Sequence, residues 1–248
     1  MDLQLTGKRA LISGGSKGIG LAIARALVAE GAHVALAARG EEVTRAAAAL
    51  AAETGGTVIG VRADTADDAS VQAAVAEVVE RLGGVDILVN TAAAPWRPAM
   101  RTATLDVTDE QMREHFEVKA LGYLRTARAA APHMIANGWG RIVNISGLGA
   151  RTAGSAVQTV RNVAVSAITK NLADDLGRHG INVTVVHPGV TRTESGPDPE
   201  PEPSNSIRRI VDASEVADVV AFLASPRSVA ITGDAIAVGG GVPGAVSY

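Results

Sequence analysis

The stretch KRALISGGSKGIG, residues 8–20, decides the fold of this 248-residue chain. The apolar run RALIS has the character of a buried strand, and the glycine-rich turn after it opens a helix. In such a turn Gly14 permits a sharp reversal, Gly18 lets the backbone approach a phosphate closely, and Gly20 lets the helix pack on the strand. We therefore predict a cradle for dinucleotide phosphates at the helix N-terminus, against the alternative of a purely structural turn. Its predicted members are Gly14, Ser16, Lys17, Gly18, Ile19 and Gly20.

Apolar runs typical of strands recur along the whole chain and alternate with alanine-rich helical stretches. This alternation indicates a parallel sheet. The runs are apolar almost without interruption, which implies burial on both faces and therefore helices on both sides of the sheet. The sequence predicts an α/β fold with a doubly wound parallel sheet, as a single domain over residues 1–248. The runs after RALIS are residues 33–38, 57–63, 85–90, 140–146 and 181–187.

The composition argues against several classes of partner and site. A net charge of −3 provides no concentrated basic face, so we expect no nucleic-acid or anionic-membrane partner. The chain has no cysteine, which excludes disulfides, thiolate chemistry and cysteine-based zinc sites, and we predict no metal site. Residues 1–13 have no basic-then-apolar leader and no apolar run is long enough to span a bilayer, so we expect a cytoplasmic protein.

Four motifs together resemble the short-chain dehydrogenase/reductase family, and the resemblance extends over essentially the full chain. They are SGGSKGIG at 13–20, VRADT at 61–65, ILVNTAA at 87–93 and HPGVTRT at 187–193. The resemblance implies a Rossmann-type sheet of about seven strands, the last of them in DAIAVGG at 234–240. It also implies oxidoreductase activity on a small-molecule substrate and a homo-oligomer, either a tetramer or a dimer.

The same resemblance implies cofactor contacts outside the glycine-rich turn. Asp64 matches the family's adenine contact, and Asn90 matches the asparagine that follows the fourth strand. Pro188 and Gly189 shape a loop that holds the nicotinamide amide, with Thr193 as a hydroxyl donor. The motif that begins at Asn90 departs from the family's Asn-Asn-Ala-Gly, because its last position is alanine rather than glycine.

The end of the second strand indicates NADP(H) as the cofactor. Ala38 occupies the position where an NAD-preferring chain places an acid for the ribose hydroxyls. Arg39 follows it and Lys17 lies in the glycine-rich turn, so two cations flank a 2′-phosphate with no carboxylate to repel it. The alternative is that both side chains are solvated surface cations.

None of the family's four catalytic groups stands at its usual place. Members of the family reduce a carbonyl with a serine, a tyrosine, a lysine and an asparagine. The tyrosine position is Gln158, the lysine position is Asn162 and the asparagine position is Lys119. Gly147 occupies the serine position, and the neighbouring Ser146 is the candidate to replace that serine. Because glutamine cannot donate a proton near neutral pH, we expect ordinary carbonyl reduction to be weak or absent.

The exchange of a lysine and an asparagine between two of these positions suggests a rearranged site. We hypothesise that Lys119 reaches the nicotinamide ribose or the substrate oxygen and that Asn162 is its hydrogen-bond partner; the alternative is a solvated or interface lysine. Tyr123, one helical turn after Lys119, is a candidate proton donor or else a helix-packing residue. Trp96 and Arg97 are candidates for the lining of the substrate pocket, with packing of Trp96 under a loop as the alternative.

Three functions are compatible with these residues. The first is an NADP(H)-dependent oxidoreductase with an atypical active site, which transfers hydride to or from a small carbonyl, alcohol or imine. The second is a catalytically silent NADPH-binding subunit, and the third is a non-redox catalyst on the same scaffold. Residues 196–206, rich in proline and acids, predict a flexible flap around 194–210 or else a tolerated surface insertion.

Overall fold

Seven parallel strands form the central sheet of the computed structural model, which describes residues 1–94, 103–194 and 205–243. This result confirms the predicted doubly wound sheet, and every predicted strand is present. A separate pair of two-residue strands lies outside the sheet. The strands are β1 (Arg9–Ser13), β2 (His33–Ala38), β3 (Val58–Arg62), β4 (Ile87–Asn90), β5 (Gly140–Ile145), β6 (Ile181–Pro188), β7 (Thr191–Arg192), β8 (Val211–Asp212) and β9 (Ala235–Val238).

Helices cover both faces of the sheet, as the uninterrupted apolar strands require. Within the described ranges they are α1 (Gly18–Ala29), α2 (Glu42–Thr54), α3 (Asp68–Leu82), α4 (Asp109–Phe116), α5 (Gly122–Asn137), α6 (Ala156–Leu176) and α7 (Ala213–Leu223). Helices α1, α2 and α7 contribute Ile23, Leu50 and Val220 to the core on one face. Helices α3 and α5 contribute Val75 and Met134 to the core on the other face.

The order of the strands reverses between β1 and β4, and this reversal positions the candidate site. The spatial order is β3-β2-β1-β4-β5-β6-β9, so the chain crosses from one half of the sheet to the other after β3. Ser13 and Asn90, the last residues of β1 and β4, are partners across this point. In open α/β sheets a ligand binds in the crevice outside the carboxyl ends of the strands at such a switch point.

A buried polar network joins the strands and helices beneath the switch point. Asn90 Oδ1 accepts hydrogen bonds from Ser13 Oγ at 3.0 Å and from Thr126 Oγ1 at 2.7 Å. Asn90 Nδ2 donates to Asn144 Oδ1 at 3.0 Å, and Asn144 Nδ2 donates to Thr169 Oγ1 at 2.9 Å. Every polar atom of the Asn90 side chain is therefore engaged within the protein, which is the condition under which a buried polar network stabilises a fold.

Replacing Asn90 with alanine is expected to lower the free energy of unfolding by about 2–4 kcal/mol, because it leaves buried polar atoms on neighbouring residues without partners. Denaturant-induced unfolding measures this loss. Asn171→Ala, at an exposed position on α6, is the matched control and should change stability by less than about 0.5 kcal/mol. Equal stability of wild-type protein and Asn90→Ala would contradict a structural role for the network.

Some predicted features fall outside the described residues. Outside the described ranges lie Trp96, Arg97 and residues 195–204 of the predicted flap, so their roles stay predictions. The parallel pair β7–β8 joins the chain on either side of residues 195–204. In the described ranges, no helix combines the length and apolar character needed to cross a lipid bilayer. The same ranges contain no cluster of three or more potential metal ligands.

Candidate active site

A cavity of about 580 Å³ opens at the switch point. The glycine-rich turn after β1 lines one end of this cavity. On the far side of β4, where β5 ends, the buried residues Lys119, Ser146 and Arg161 line the other, deep end. Its volume is in the range of small-molecule and cofactor sites. The predicted cofactor residues that line it are Gly14, Ser16, Lys17, Gly18, Ile19, Gly20, Arg39 and Thr193.

The glycine-rich turn has room only for backbone beside the cavity. Gly14 has φ +73°, and a Cβ on this residue would lie 2.7 Å from the Ala92 nitrogen. Gly18 has φ +59°, and a Cβ on Gly20 would collide with the Gly14 carbonyl. Lys17, the N-cap residue of α1, makes no side-chain capping bond to the helix. A helix N-terminus that its own N-cap side chain leaves open, behind a turn with glycines at the close contacts, fits the phosphates of a dinucleotide.

The N-terminus of α1 already holds a carboxylate of the protein itself. The Gly18 N–H donates to Glu194 Oε1 over 2.6 Å. Glu194 directly follows Thr193, which lines the cavity. Helix amides and the helix dipole attract a carboxylate oxygen as they attract a phosphate oxygen. The Glu194 carboxylate therefore occupies an anion position of the cradle, and our sequence analysis missed this residue.

Replacing Glu194 with glutamine is expected to tighten NADPH binding by about 3- to 10-fold, because it removes a charge that competes with phosphate for the Gly18 amide. Calorimetric titration of cofactor-free protein measures this change. Glu80→Gln, an exposed substitution on α3, is the matched control and should leave the affinity unchanged. Weaker NADPH binding by Glu194→Gln would contradict competition between the two anions.

The cavity rim carries a carboxylate near the predicted 2′-phosphate position. Arg39 and Lys17 both line the cavity and are exposed, as expected for side chains that meet a phosphate at its mouth. Glu42, in the first turn of α2, lines the same cavity. The expectation that no carboxylate stands near the two cations was therefore wrong, because the turn after β2 brings Glu42 back toward Arg39.

Three further residues predicted to contact the cofactor do not line the cavity, and neither does Asn90. Asp64 Oδ1 accepts the Ala66 N–H at 3.0 Å and shapes the turn after β3. Pro188 ends β6, and the Gly189 N–H donates to the Val238 carbonyl at 3.2 Å, which joins this loop to β9. These residues hold neighbouring loops in place and do not line the cavity themselves. Their contacts with a cofactor stay predictions.

A π-helical turn, Glu117–Leu121 between α4 and α5, brings Lys119 to the deep end of the cavity. Single π-helical turns of this kind are frequent at functional sites. Lys119 is only 5 % exposed, and its Nζ donates to the Ser146 carbonyl oxygen at 3.0 Å. Burial and the positive charge of Arg161 lower the pKa of Lys119 to about 7. The alternative of a solvated lysine was therefore wrong, and this amine exchanges its proton near neutral pH.

Asn162 is not the hydrogen-bond partner of Lys119, which corrects our hypothesis. The Lys119 amine reaches the carbonyl of Ser146, just after β5, and bonds there instead. The carbonyl of Asn162 accepts the Ser146 hydroxyl at 3.0 Å, and its buried Oδ1 has no hydrogen-bond partner among the described residues. Gln158 lines a separate cleft together with Gly149. Neither Asn162 nor Gln158 lines the cofactor cavity.

Arg161 and His115 belong to the deep end of the site, and our sequence analysis missed both. Arg161 lines the cavity at 8 % exposure, and its Nη1 lies 2.7 Å from His115 Nδ1. No sequence signal pointed to Arg161, because arginine on a helix is usually exposed.

Two other titratable groups lie close to the site without contributing a proton. The Tyr123 hydroxyl donates to the Ile145 carbonyl at 3.0 Å, and burial raises the pKa of Tyr123 far above its usual value. Tyr123 does not line the cavity, so its candidacy as a proton donor was wrong. Burial and the charges of Arg151 and Lys119 lower the pKa of His187 to about 4. His187 is therefore neutral at physiological pH.

The fold and cavity define a dinucleotide-binding α/β protein, and comparison with known proteins gives its family. A family model described as enoyl-(acyl carrier protein) reductase matches residues 14–243. The short-chain reductase protein NovJ of Streptomyces niveus is 34% identical over 248 residues, which is 94% of this chain and 93% of that protein. The oxidoreductase UcpA of Escherichia coli K12 is 35% identical over 255 residues, or 96% and 95% of the two chains. The chain belongs to the short-chain dehydrogenase/reductase family.

Solved structures of related proteins agree with this membership. L-sorbose reductase from Gluconobacter frateurii, complexed with NADPH and L-sorbose, superposes with a TM-score of 0.90 at 30% identity and covers 99% of this chain and 100% of its own. A short-chain dehydrogenase from Burkholderia cenocepacia in complex with NADP gives a TM-score of 0.85 at 34% identity, with 96% and 98% covered. Both complexes support the sequence-based choice of NADP(H).

Proposed function

We propose that this protein is an NADP(H)-dependent oxidoreductase with an atypical active site, which transfers hydride to or from a small carbonyl, alcohol or imine. The observation that carries the proposal is Lys119, a buried amine with a pKa of about 7 at the deep end of a dinucleotide cavity. A group with this pKa is matched to proton transfer at neutral pH. Lys119 thus offers the acid that the chain lacks at Gln158.

The residues of the cavity fit NADP(H). The Gly18 amide, which holds the Glu194 carboxylate, would bind the diphosphate, and Arg39 with Lys17 would bind the 2′-phosphate. Thr193 would meet the nicotinamide end. When bound, NADPH supplies the hydride. The NADPH and NADP complexes of the related enzymes support the same cofactor here.

NADPH is expected to bind at micromolar concentration and NADH at least about 10-fold more weakly, because only NADPH carries the phosphate that Arg39 and Lys17 would hold. Calorimetric titration of cofactor-free protein compares the two. Arg39→Ala should lower the NADPH affinity by about 10-fold and leave NADH binding unchanged. Arg45→Ala, an exposed substitution on α2, is the control. A protein that binds neither nucleotide would contradict the oxidoreductase proposal.

Lys119 would donate the proton that completes reduction of a carbonyl. Its ammonium form has three N–H donors, one of which is used by the Ser146 carbonyl, so two remain for a substrate oxygen. The proton passes from Nζ to the carbonyl oxygen while the carbonyl carbon receives the hydride. The product is an alcohol, and the neutral amine of Lys119 regains its proton from water.

Three groups that face Lys119 keep the same protonation state between pH 6 and pH 8, so they do not obscure its titration. Arg161 faces it from α6, Tyr123 from α5 and His187 from β6. Burial raises the pKa of Tyr123 and lowers that of His187 to about 4, so both stay neutral between pH 6 and pH 8. Arg161 stays charged, since a guanidinium does not lose its proton in proteins. Among the described residues His115, on α4, is also close, and it bonds Arg161.

The kcat/KM for ketone reduction is expected to fall as the pH rises through about 7, because only the ammonium form of Lys119 donates a proton. Lys119→Met should remove this inflection and lower the rate by ~10²- to 10⁴-fold, as loss of a general acid does. Lys170→Met, an exposed substitution on α6, should retain both. Steady-state kinetics from pH 5 to pH 9 measure these changes.

Two further measurements decide the source of the inflection. His115→Gln should retain the inflection if Lys119 causes it, and loss of the inflection in that variant would contradict the assignment. A cyclic imine is protonated before it binds and needs no acid from the protein. Lys119→Met should therefore reduce the imine far better than the ketone, whereas equal loss on both substrates would assign Lys119 to cofactor binding instead.

A catalytically silent NADPH-binding subunit is the second candidate, and two observations favour it. Gln158 lies outside the cofactor cavity, and the Ser146 hydroxyl is bonded to the Asn162 carbonyl. Tight NADPH binding without oxidation of NADPH in the presence of any aldehyde, ketone or imine would support this function.

Helix α6 also exposes Val160 and Val163, which supports the expected homo-oligomer, and light scattering measures its size.

A further inference from the structure

Two buried cations, Lys119 and Arg161, share the deep end of the cavity, and neither has an acidic partner among residues 1–94, 103–194 and 205–243. Lys119 is 5 % exposed and Arg161 is 8 % exposed. Their side-chain hydrogen bonds go to the Ser146 carbonyl and to the His115 ring, and neither forms an ion pair with a described aspartate or glutamate. A buried charge without a counter-ion is destabilising, and a ligand with a negative charge would supply the missing partner here.

The bond to His115 uses only one edge of the Arg161 guanidinium. Arginine has no acceptor, so its Nη1 must donate to His115 Nδ1 across the 2.7 Å separation. That bond fixes the plane of the guanidinium. The buried Nε has no hydrogen-bond partner in the described part of the chain. His115 therefore leaves the Nε–Nη2 edge without a bond from its ring, and such an edge forms charge-assisted hydrogen bonds with carboxylates.

The anion that fits this edge differs from the anions of the cofactor. The phosphates are expected at the glycine-rich turn and near Arg39, at the opposite end of the cavity from Arg161. The ribose and carboxamide of the nicotinamide end carry no negative charge. An anion at Arg161 would therefore come from the substrate. Lys119 and Arg161 line the same cavity, so one small molecule bound there can meet both cations.

We propose that Arg161, held in place by His115, binds a carboxylate of the substrate, and that the substrate class is a small oxo acid or the corresponding hydroxy acid. This inference rests on the proposed function. Reduction adds one hydride from NADPH to the carbonyl carbon and one proton from Lys119 to the oxygen, which gives the hydroxy acid and NADP⁺. The carboxylate is unchanged and orients the carbonyl toward Lys119.

The test compares two oxo acids with their neutral methyl esters. The probes are 2-oxobutanoate and 4-oxopentanoate, and binding is measured by titration with both cofactor-free and NADP⁺-loaded protein. At least one acid is expected to bind about 10- to 100-fold more tightly than its ester, as a charge-assisted hydrogen bond predicts. Arg161→Met should remove this difference, and Arg161→Lys should restore part of it. Arg113→Met, an exposed substitution on α4, should bind like the wild-type protein.

Thermal unfolding separates ligand binding from a structural role of Arg161. Arg161→Met is expected to raise the melting temperature of ligand-free protein, because it removes a buried charge without a counter-ion, and to abolish stabilisation by the oxo acid. Equal binding of acids and esters by the wild-type protein would overturn the inference even if NADPH binds and is oxidised. A lower NADPH affinity in Arg161→Met with an unchanged preference for acids would also overturn it. Absence of NADPH binding by the wild-type protein would contradict only the proposed function. The inference would still be tested, because oxo-acid binding is also measured with cofactor-free protein.

Discussion

The removal of the Lys119 amine from water is the constraint on which the candidate site depends. A lysine in water holds its proton until about pH 10.4, whereas burial beside Arg161 lowers the pKa of Lys119 to about 7. Each pKa unit corresponds to about 1.4 kcal/mol, so the protein has to provide several kcal/mol to hold this amine in the cavity. The packing of the sheet and the helices provides that free energy. The strand reversal between β1 and β4 sets the position of the cavity that the amine lines.

The fold could be predicted from the sequence because its parallel strands are buried on both faces. Residues 33–38, HVALAA, for example, are apolar after the first position and form β2, an interior strand of the sheet. The glycine-rich turn could be predicted for a related reason, since Gly14 and Gly20 are required by contacts that any side chain would break. The β7–β8 pair was not predicted, because two-residue strands have no detectable periodicity.

The deep end of the site could be predicted only in part. Lys119 was identified from its position, but its bond to the Ser146 carbonyl depends on the π-helical turn, which no sequence pattern indicated. Arg161 was missed because an arginine on a helix is usually solvated, and its burial follows from packing of α6 against α4 through His115. We paired Asn162 with Lys119 because a lysine and an asparagine had exchanged positions. Residue types do not show that a backbone carbonyl, here that of Ser146, binds the same amine instead.

Direct titration of the Lys119 amine is the most direct test of this account. The chain has four lysines, Lys8, Lys17, Lys119 and Lys170, so protein labelled with ¹³C at the lysine ε-carbon gives few resonances, and Lys119→Met assigns the one of interest. If burial lowers the pKa of Lys119 as described, its titration midpoint lies near pH 7, about three pH units below that of free lysine. A midpoint near the ordinary lysine value of about 10.4 would contradict it, because such an amine is solvated and donates no proton readily at neutral pH.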